Sequence, residues 1–256
     1  MTVPELVPLH FDTDSGCGWR ARIGLIVLAS DQTLEAEARR LRIDGVDFYH
    51  CRIPMETEVT PAALTAMEQK LPAAARLLPP EFTFGAIGYG CTSAATLIGS
   101  DGITAAIQAV HPGMRCSDPI AAAVAAFSAL GSRSIAVVTP YTAGITAAVA
   151  RHFAAAGFEV SALGSFLEAS ERVVARISPQ SIAAAVRAVA GSTACDAVFV
   201  SCTNLRVLAQ INALEDAIGK PVVSSNTALF WHLLRLCGIT DELTGLGRLF
   251  TAQLQH

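Results

Sequence analysis

Two cysteines carry most of the chemical information in this 256-residue chain. Cys91, in Gly88-Tyr89-Gly90-Cys91-Thr92-Ser93, and Cys202, in Phe199-Val200-Ser201-Cys202-Thr203-Asn204, stand 111 positions apart. Each closes an apolar run that reads as a buried parallel strand, and each precedes a predicted helix start. Backbone N–H groups and the helix dipole are expected to lower a thiol pKa there and favour the thiolate. Two such thiols facing one another suit acid/base or nucleophilic work on a small carbon skeleton. Thr92, Ser93, Thr203 and Asn204 add hydroxyl and amide groups suited to holding a carboxylate. The remaining cysteines, at 17, 51, 116, 195 and 237, lack this setting and read as structural.

Other polar residues converge on the same strand ends. Ser30-Asp31-Gln32-Thr33 and Thr139-Pro140-Tyr141-Thr142 follow corresponding strands, so both loops must open at one cleft mouth. Asp31 reads equally as a cap for the helix beginning at Leu34 and as a ligand contact. Tyr141 either closes its loop or offers a phenol to a substrate anion. Ser225 and Asn226 open a helix rich in donors, which suits capping and anion binding alike. His232, inside Ala-Leu-Phe-Trp-His-Leu-Leu, reads as a helix-packing residue. Gly88-x-Gly90 lacks the further glycine of a dinucleotide site, so no nucleotide is expected.

The elements that position these residues are written twice. Arg22–Leu28 has its counterpart in Arg133–Val138, Gly45-Val46-Asp47-Phe48 in Gly157-Phe158-Glu159-Val160, and the offset stays at 111 to 112 positions. Helices are predicted over 34–41, 61–78, 145–156 and 179–190. Fourth strands are predicted near 113–116 and at 221–223. Asp118-Pro119 and Ser225-Asn226 open the closing helices, which end at Gly131 and Gly238. Strand–helix alternation with short links predicts an α/β fold of two pseudo-twofold-related, Rossmann-like units. Each has a parallel four-stranded sheet, and the active site lies in the cleft between them. The predicted units are 22–132 and 133–239, with a C-terminal helix over 240–256 packing on the first.

Composition excludes several classes. The chain is 52% hydrophobic and 16% charged with a net charge of −4, which leaves no electrostatic footprint for nucleic acid. Its longest uncharged stretches are divided by glycines or by Thr139-Pro140-Tyr141-Thr142, so no membrane span is expected. An odd cysteine count and an N-terminal region containing Pro4, Asp12 and Asp14 lead to an expected cytoplasmic setting with reduced thiols.

Ser201-Cys202-Thr203-Asn204-Leu205-Arg206, Gly219-Lys220-Pro221-Val222-Val223-Ser224-Ser225-Asn226 and Trp231 closely resemble the maleate cis–trans isomerases. Those enzymes, with the arylmalonate decarboxylases, belong to the aspartate/glutamate racemase superfamily. Cys91-Thr92-Ser93, Pro140-Tyr141 and Ser30–Glu35 match further motifs, and the resemblance covers about residues 22–240. It implies catalysis without metal or organic cofactor on a small carboxylate, in a homo-oligomer. Cys91 would add to the alkene as thiolate, Cys202 would donate and recover the proton, and Asp31, Thr92, Ser93, Tyr141, Glu171, Thr203, Asn204, Ser225 and Asn226 would hold the substrate. Racemases of this superfamily move a proton between opposite faces of one carbon, and arylmalonate decarboxylases keep a single cysteine. Two residues depart from the isomerase pattern: Asp31 and Glu171 stand where asparagine is usual. A carboxylate there repels a dicarboxylate and suits a positive group or a donor. The Asp-Gln-Thr loop is similar to the ectoine-utilisation branch. An arylmalonate-type decarboxylase, a non-catalytic small-carboxylate-binding protein and a thiol hydrolase remain as alternative readings.

Overall fold

The computed structural model describes residues 3–55, 61–79 and 81–255. β1 (Ala21–Leu28), β2 (Val46–Ile53), β3 (Ala86–Gly90) and β4 (Cys116–Ser117) form a parallel sheet of order β2-β1-β3-β4. β5 (Ser134–Thr139), β6 (Glu159–Ser165), β7 (Ala197–Val200) and β8 (Val222–Ser224) repeat that order as β6-β5-β7-β8. The central strands are continuous apolar runs because both faces are covered: Ile23, Leu25, Ile26, Val27, Ile87 and Tyr89 are buried in one sheet, Ile135 to Val138 and Ala197 to Val200 in the other. Among the described residues, no helix is long and apolar enough to cross a membrane.

Ten α-helices connect and cover the strands among the described residues. In the first half these are α1 (Leu34–Ala38), α2 (Pro61–Ala75), α3 (Thr92–Ile98), α4 (Ser100–Gln108) and α5 (Pro119–Ala129). In the second they are α6 (Ala143–Ala155), α7 (Glu171–Val174), α8 (Pro179–Ser192), α9 (Ile211–Ile218) and α10 (Ser225–Leu236). Asp118 caps α5 through Ile120 N and Ala121 N, ahead of Pro119. Ser224 caps α10 in a reciprocal box with Thr227, one residue before the predicted start.

The two closing helices exchange sheets. α10 lies on the first sheet, where the Leu233 side chain occupies the space a Cβ on Gly88 would need, 2.7 Å from Leu233 Cδ1. Phe230 meets Phe48 of β2 edge-on at 5.8 Å. α5 conversely places Phe127 against Phe199 of β7 and Phe153 of α6. The two helices also pack on one another, which joins both sheets through one apolar core.

Two predicted elements differ. The fourth strand begins at Cys116 rather than near 113, because Gly113 turns the chain at φ 74°. The helix predicted over 240–256 is absent among the described residues apart from a 3₁₀ turn at Arg248–Thr251. Gly245 and Gly247, at φ 86° and 90°, hold left-handed backbone that a helix does not admit. The segment instead clings to α10: Trp231 Nε1 donates to Ala252 O at 3.0 Å, and Arg235 donates to the carbonyls of Ile239, Asp241, Phe250 and Ala252. Asp241 also pairs with Arg20, just ahead of β1, at 2.6 Å.

Candidate active site

β3 and β7 deliver the two thiols, in different local settings. Cys91 is extended (φ −147°, ψ 113°) and caps α3, its Sγ accepting the Ala94 N–H at 3.4 Å. Ser93 Oγ lies 3.6 Å from the same sulfur. Cys202 sits in a turn; the helical structure expected behind it begins only with the 3₁₀ turn at Leu208. Its backbone is held at φ 116°, a conformation non-glycine residues avoid. That kink lets Cys202 Sγ accept the Asn204 N–H at 3.4 Å, so a turn does for Cys202 what a helix end does for Cys91.

Ser225 ties the two sites together. Its Oγ accepts the Thr92 hydroxyl at 2.8 Å and the Cys202 N–H at 2.9 Å, fixing both thiol-bearing loops to one atom. Tyr141, 3% exposed, lies beside the Cys202 thiol and Ser201. Tyr89 lies beside Cys91. All the predicted site residues are buried and lie along this junction of the two halves.

Their roles divide once their partners are counted. Asp31 is fully used: Oδ1 accepts from Thr33 N and Leu34 N at 2.8 Å, and Oδ2 accepts the Thr203 hydroxyl at 2.8 Å. Asp31 is thus not the N-cap of α1, which is Thr33; it closes the turn ahead of it by accepting the Thr33 and Leu34 N–H groups. Asn204 is also fully used, taking Gln32 N–H on Oδ1 at 2.9 Å and giving Nδ2 to Glu171 Oε2 at 3.0 Å. Asn226 Nδ2 donates to Thr203 O and to Glu37 Oε2, both at 2.8 Å. Glu37 escaped the sequence reading. Its Oε1 accepts the N–H groups of Val207 and Leu208 at 2.9 Å, bolting α1 to the second half. Nothing in its local sequence marks it, since a glutamate in Leu34-Glu35-Ala36-Glu37 reads as solvent-facing. His232 receives the packing role expected of it, bonded to Ser117 Oγ through Nδ1 at 2.8 Å.

Burial governs the electrostatics. The Cys91 thiol is pushed up to about 11 by burial, which outweighs the lowering by Ala94 N–H and Ser93. Cys202 is raised well above its ordinary value by burial and then by the charge of Glu171. The lowered thiol pKa expected from sequence is thus overturned: the donors are present, but desolvation wins. Asp31 and Glu171 are both raised, burial first, and Glu37 reaches about 7 for the same reason. Alkylation by iodoacetamide, followed by peptide mass spectrometry, tests this. Exposed Cys17 is expected to label first at pH 7, and Cys91 labelling to rise about tenfold per pH unit up to pH 10. Preferential Cys91 labelling at pH 7 would contradict it.

Among the described residues, Asn226 Oδ1 is buried with no hydrogen-bond partner, while the Tyr89 hydroxyl is held against the Cys91 thiol and the Ser201 hydroxyl against Tyr141. Each thiol thus has a hydroxyl-bearing neighbour, Tyr89 at Cys91 and Tyr141 at Cys202. Tyr89 and Ser201 stand within the two cysteine motifs, so their position was visible in the sequence although their role was not. The constellation provides two proton carriers, hydroxyl and amide donors, and three buried carboxylates.

Comparison with known proteins agrees with the architecture. A family model described as arylmalonate decarboxylase matches residues 23–250. A maleate isomerase of Nocardia farcinica is 28% identical over 243 residues, 89% of this chain and 94% of that protein. Its C-to-S mutant, solved with a covalently bound succinylcysteine intermediate, superposes with a TM-score of 0.79 at 25% identity, covering 90% of this chain and 98% of that one. A maleate isomerase of Pseudomonas putida S16, solved with maleate, shares the fold with a TM-score of 0.82 at 21% identity, covering 92% and 99%.

Proposed function

The chain belongs to the arylmalonate decarboxylase family, and on that premise we propose that it is a cofactor-independent two-thiol isomerase or racemase acting on a small carboxylate. The observation that carries this reading is Ser225 Oγ, which holds the Cys91 and Cys202 loops to a single point from both halves. A decarboxylase that only protonates an enediolate needs one such thiol. Retaining two suits a reaction in which a proton leaves one side of the substrate and returns from another.

As a cis–trans isomerase, the Cys91 thiolate forms a C–S bond to one alkene carbon while the π pair takes the Cys202 proton at the other. Rotation about the resulting single bond follows. The Cys202 thiolate then withdraws the proton, the C–S bond breaks and the Cys91 thiolate is restored. As a racemase, one thiolate removes the α-proton and the opposing thiol supplies one to the other face. In both, Tyr89, Ser201 and the Ser225 hydroxyl are the groups that meet the substrate carboxylate. The covalent succinylcysteine of the Nocardia relative supports the first route. The Ser30-Asp31-Gln32-Thr33 loop, similar to the ectoine-utilisation branch, supports including ectoine-pathway compounds among the substrates.

Incubation in deuterated water with maleate, aspartate, glutamate, an arylmalonate, ectoine and hydroxyectoine tests the proposal. Cis–trans conversion, or deuterium at the carbon beside a carboxylate with loss of optical purity, is the expected result. Release of carbon dioxide from the arylmalonate, with neither of those, would replace it by the decarboxylase reading that the family model favours.

A further inference from the structure

An apolar arm ahead of β1 is left without a partner on its own chain. Val3, Leu6, Val7, Leu9 and Phe11 are 74 to 91% exposed, and every residue from 3 to 17 is exposed with them. Single apolar residues on a surface are ordinary, but five within nine positions form a patch. The arm also lies outside the span 23–250 that the family model matches. Its root, by contrast, is built. Asp14 accepts the Gly16 N–H at 2.8 Å, and Arg22 donates to the carbonyls of Ser15 and Cys17.

The prolines give this arm one edge that can pair. Pro4 and Pro8 have the same parity, so in an extended strand their missing N–H groups fall on one side. The other side keeps the N–H and C=O groups of Val3, Glu5, Val7, Leu9 and Phe11. Those five side chains also share a face, and four of them are apolar. Pairing on one edge and proline on the other is the design of a strand that finishes a sheet.

Among the four sheet edges, β2 is the one open to such a strand. β4 and β8 have only two and three residues, and β6 is interrupted by a register shift against Ile135 and Ala136. β2 pairs with β1 without a break over eight residues. Ile53 O faces β1, accepting Ala29 N–H at 2.9 Å. Phe48 and His50, of the opposite parity, therefore turn their N–H and C=O groups outward, where no described residue bonds them. A cavity of about 440 Å³ flanks this edge, with Leu41, Ile43 and Phe48 in its wall. Arg39 and Arg42 line it beside Asp44 and Asp47, and neither arginine is ion-paired to a described residue. Glu5, Asp12 and Asp14 make the arm acidic, which suits those two arginines.

We propose that the arm of one copy adds as a fifth strand to the β2 edge of a second copy, in a reciprocal twofold exchange. The root holds the arm off its own body, so the edge that it meets is that of another copy. Each arm brings roughly 700 Å² of exposed apolar side chain, close to the roughly 800 Å² per partner of a standard interface. The apolar face of the arm enters the cavity beside Leu41 and Ile43, and Phe48 and His50 gain the backbone partners that they lack.

Hydrogen exchange with a full-length variant whose arm is disabled tests this. Leu9→Asp/Phe11→Asp alters two exposed side chains, so its near-ultraviolet circular dichroism is expected to match wild type. Sedimentation is expected to show self-association weakened by about tenfold or more relative to wild type. The variant is then isotope-labelled and equilibrated with excess unlabelled wild type. Its β2 peptide is expected to exchange about tenfold more slowly than in the variant alone, because wild-type arms occupy its open edge. Excess unlabelled variant is expected to give no such protection. Protection of β2 in wild type that cannot be passed to the labelled variant would mean an arm folded on its own edge, and would overturn the exchange. So would a wild-type dimer whose β2 exchanges freely, or equal protection conferred by the unlabelled variant.

Discussion

Alanine at either Cys91 or Cys202 is expected to abolish deuterium exchange into substrate, by about 10³-fold or more, while the protein stays folded. On the proposed mechanism each thiol has its own step as nucleophile or proton carrier, and the adjoining hydroxyls are weaker acids than a thiol and do not replace it. Stability is expected to separate the two sites in a way activity does not. Cys91 has ordinary extended backbone, so glycine there costs more than alanine. Cys202, at φ 116°, holds a conformation in which a Cβ is strained, so Cys202→Gly is expected to exceed Cys202→Ala in stability by about 1 kcal/mol. Urea unfolding of the four variants reads the inversion directly. Residual exchange above a tenth of wild type in either alanine variant would exclude the two-thiol mechanism.

The second large effect is expected at Glu37, remote from the reacting atoms. Glu37→Ala strands the buried N–H groups of Val207 and Leu208 and removes one partner of Asn226. Such losses sum to about 4 kcal/mol, a fall in Tm of about 10 °C for a chain of this size. The effect depends on pH. Burial raises the Glu37 carboxyl from 4.5 to about 7 in the native state, so the folded protein binds its proton more tightly than the unfolded chain does. Its contribution is therefore complete below about pH 4.5 and is lost as pH rises through 7, a span of about 3 kcal/mol. Wild type is expected to lose stability relative to Glu37→Gln between pH 5 and 8, as measured by paired denaturant titrations. A constant difference across that range would remove Glu37 from the pH-sensitive contacts.

The repeat was legible because it is carried by local signals: apolar strand runs, Asp118-Pro119 at a helix start, and glycines that end helices. The positions of both thiols followed from those signals. Their ionisation did not, because a helix end is visible in sequence whereas the depth of burial depends on everything packed above it. Asp31 and Glu171 looked alike as acidic residues. Only their partners, contributed from about 170 and 30 residues away, separate a used carboxylate from a half-free one. Glu37 and the sheet exchange of α5 and α10 were invisible for the same reason. Both depend on contacts between halves that no short window of sequence contains. The tail at 240–256 was misread because its two left-handed glycines count for more than its apolar residues.

The exchanged helices have a consequence for ancestry. A single unit of the repeat, made alone, would leave part of one sheet face uncovered while its own closing helix, which packs on the other sheet, lost its partner. Such a unit becomes complete only with a second copy, each lending the other its last helix. Duplication and fusion of a half that paired with its own copy would leave this arrangement, a trade between subunits held within one chain. Severing the link between residues 131 and 133 is then expected to yield two fragments that reassemble on mixing, neither of which folds by itself.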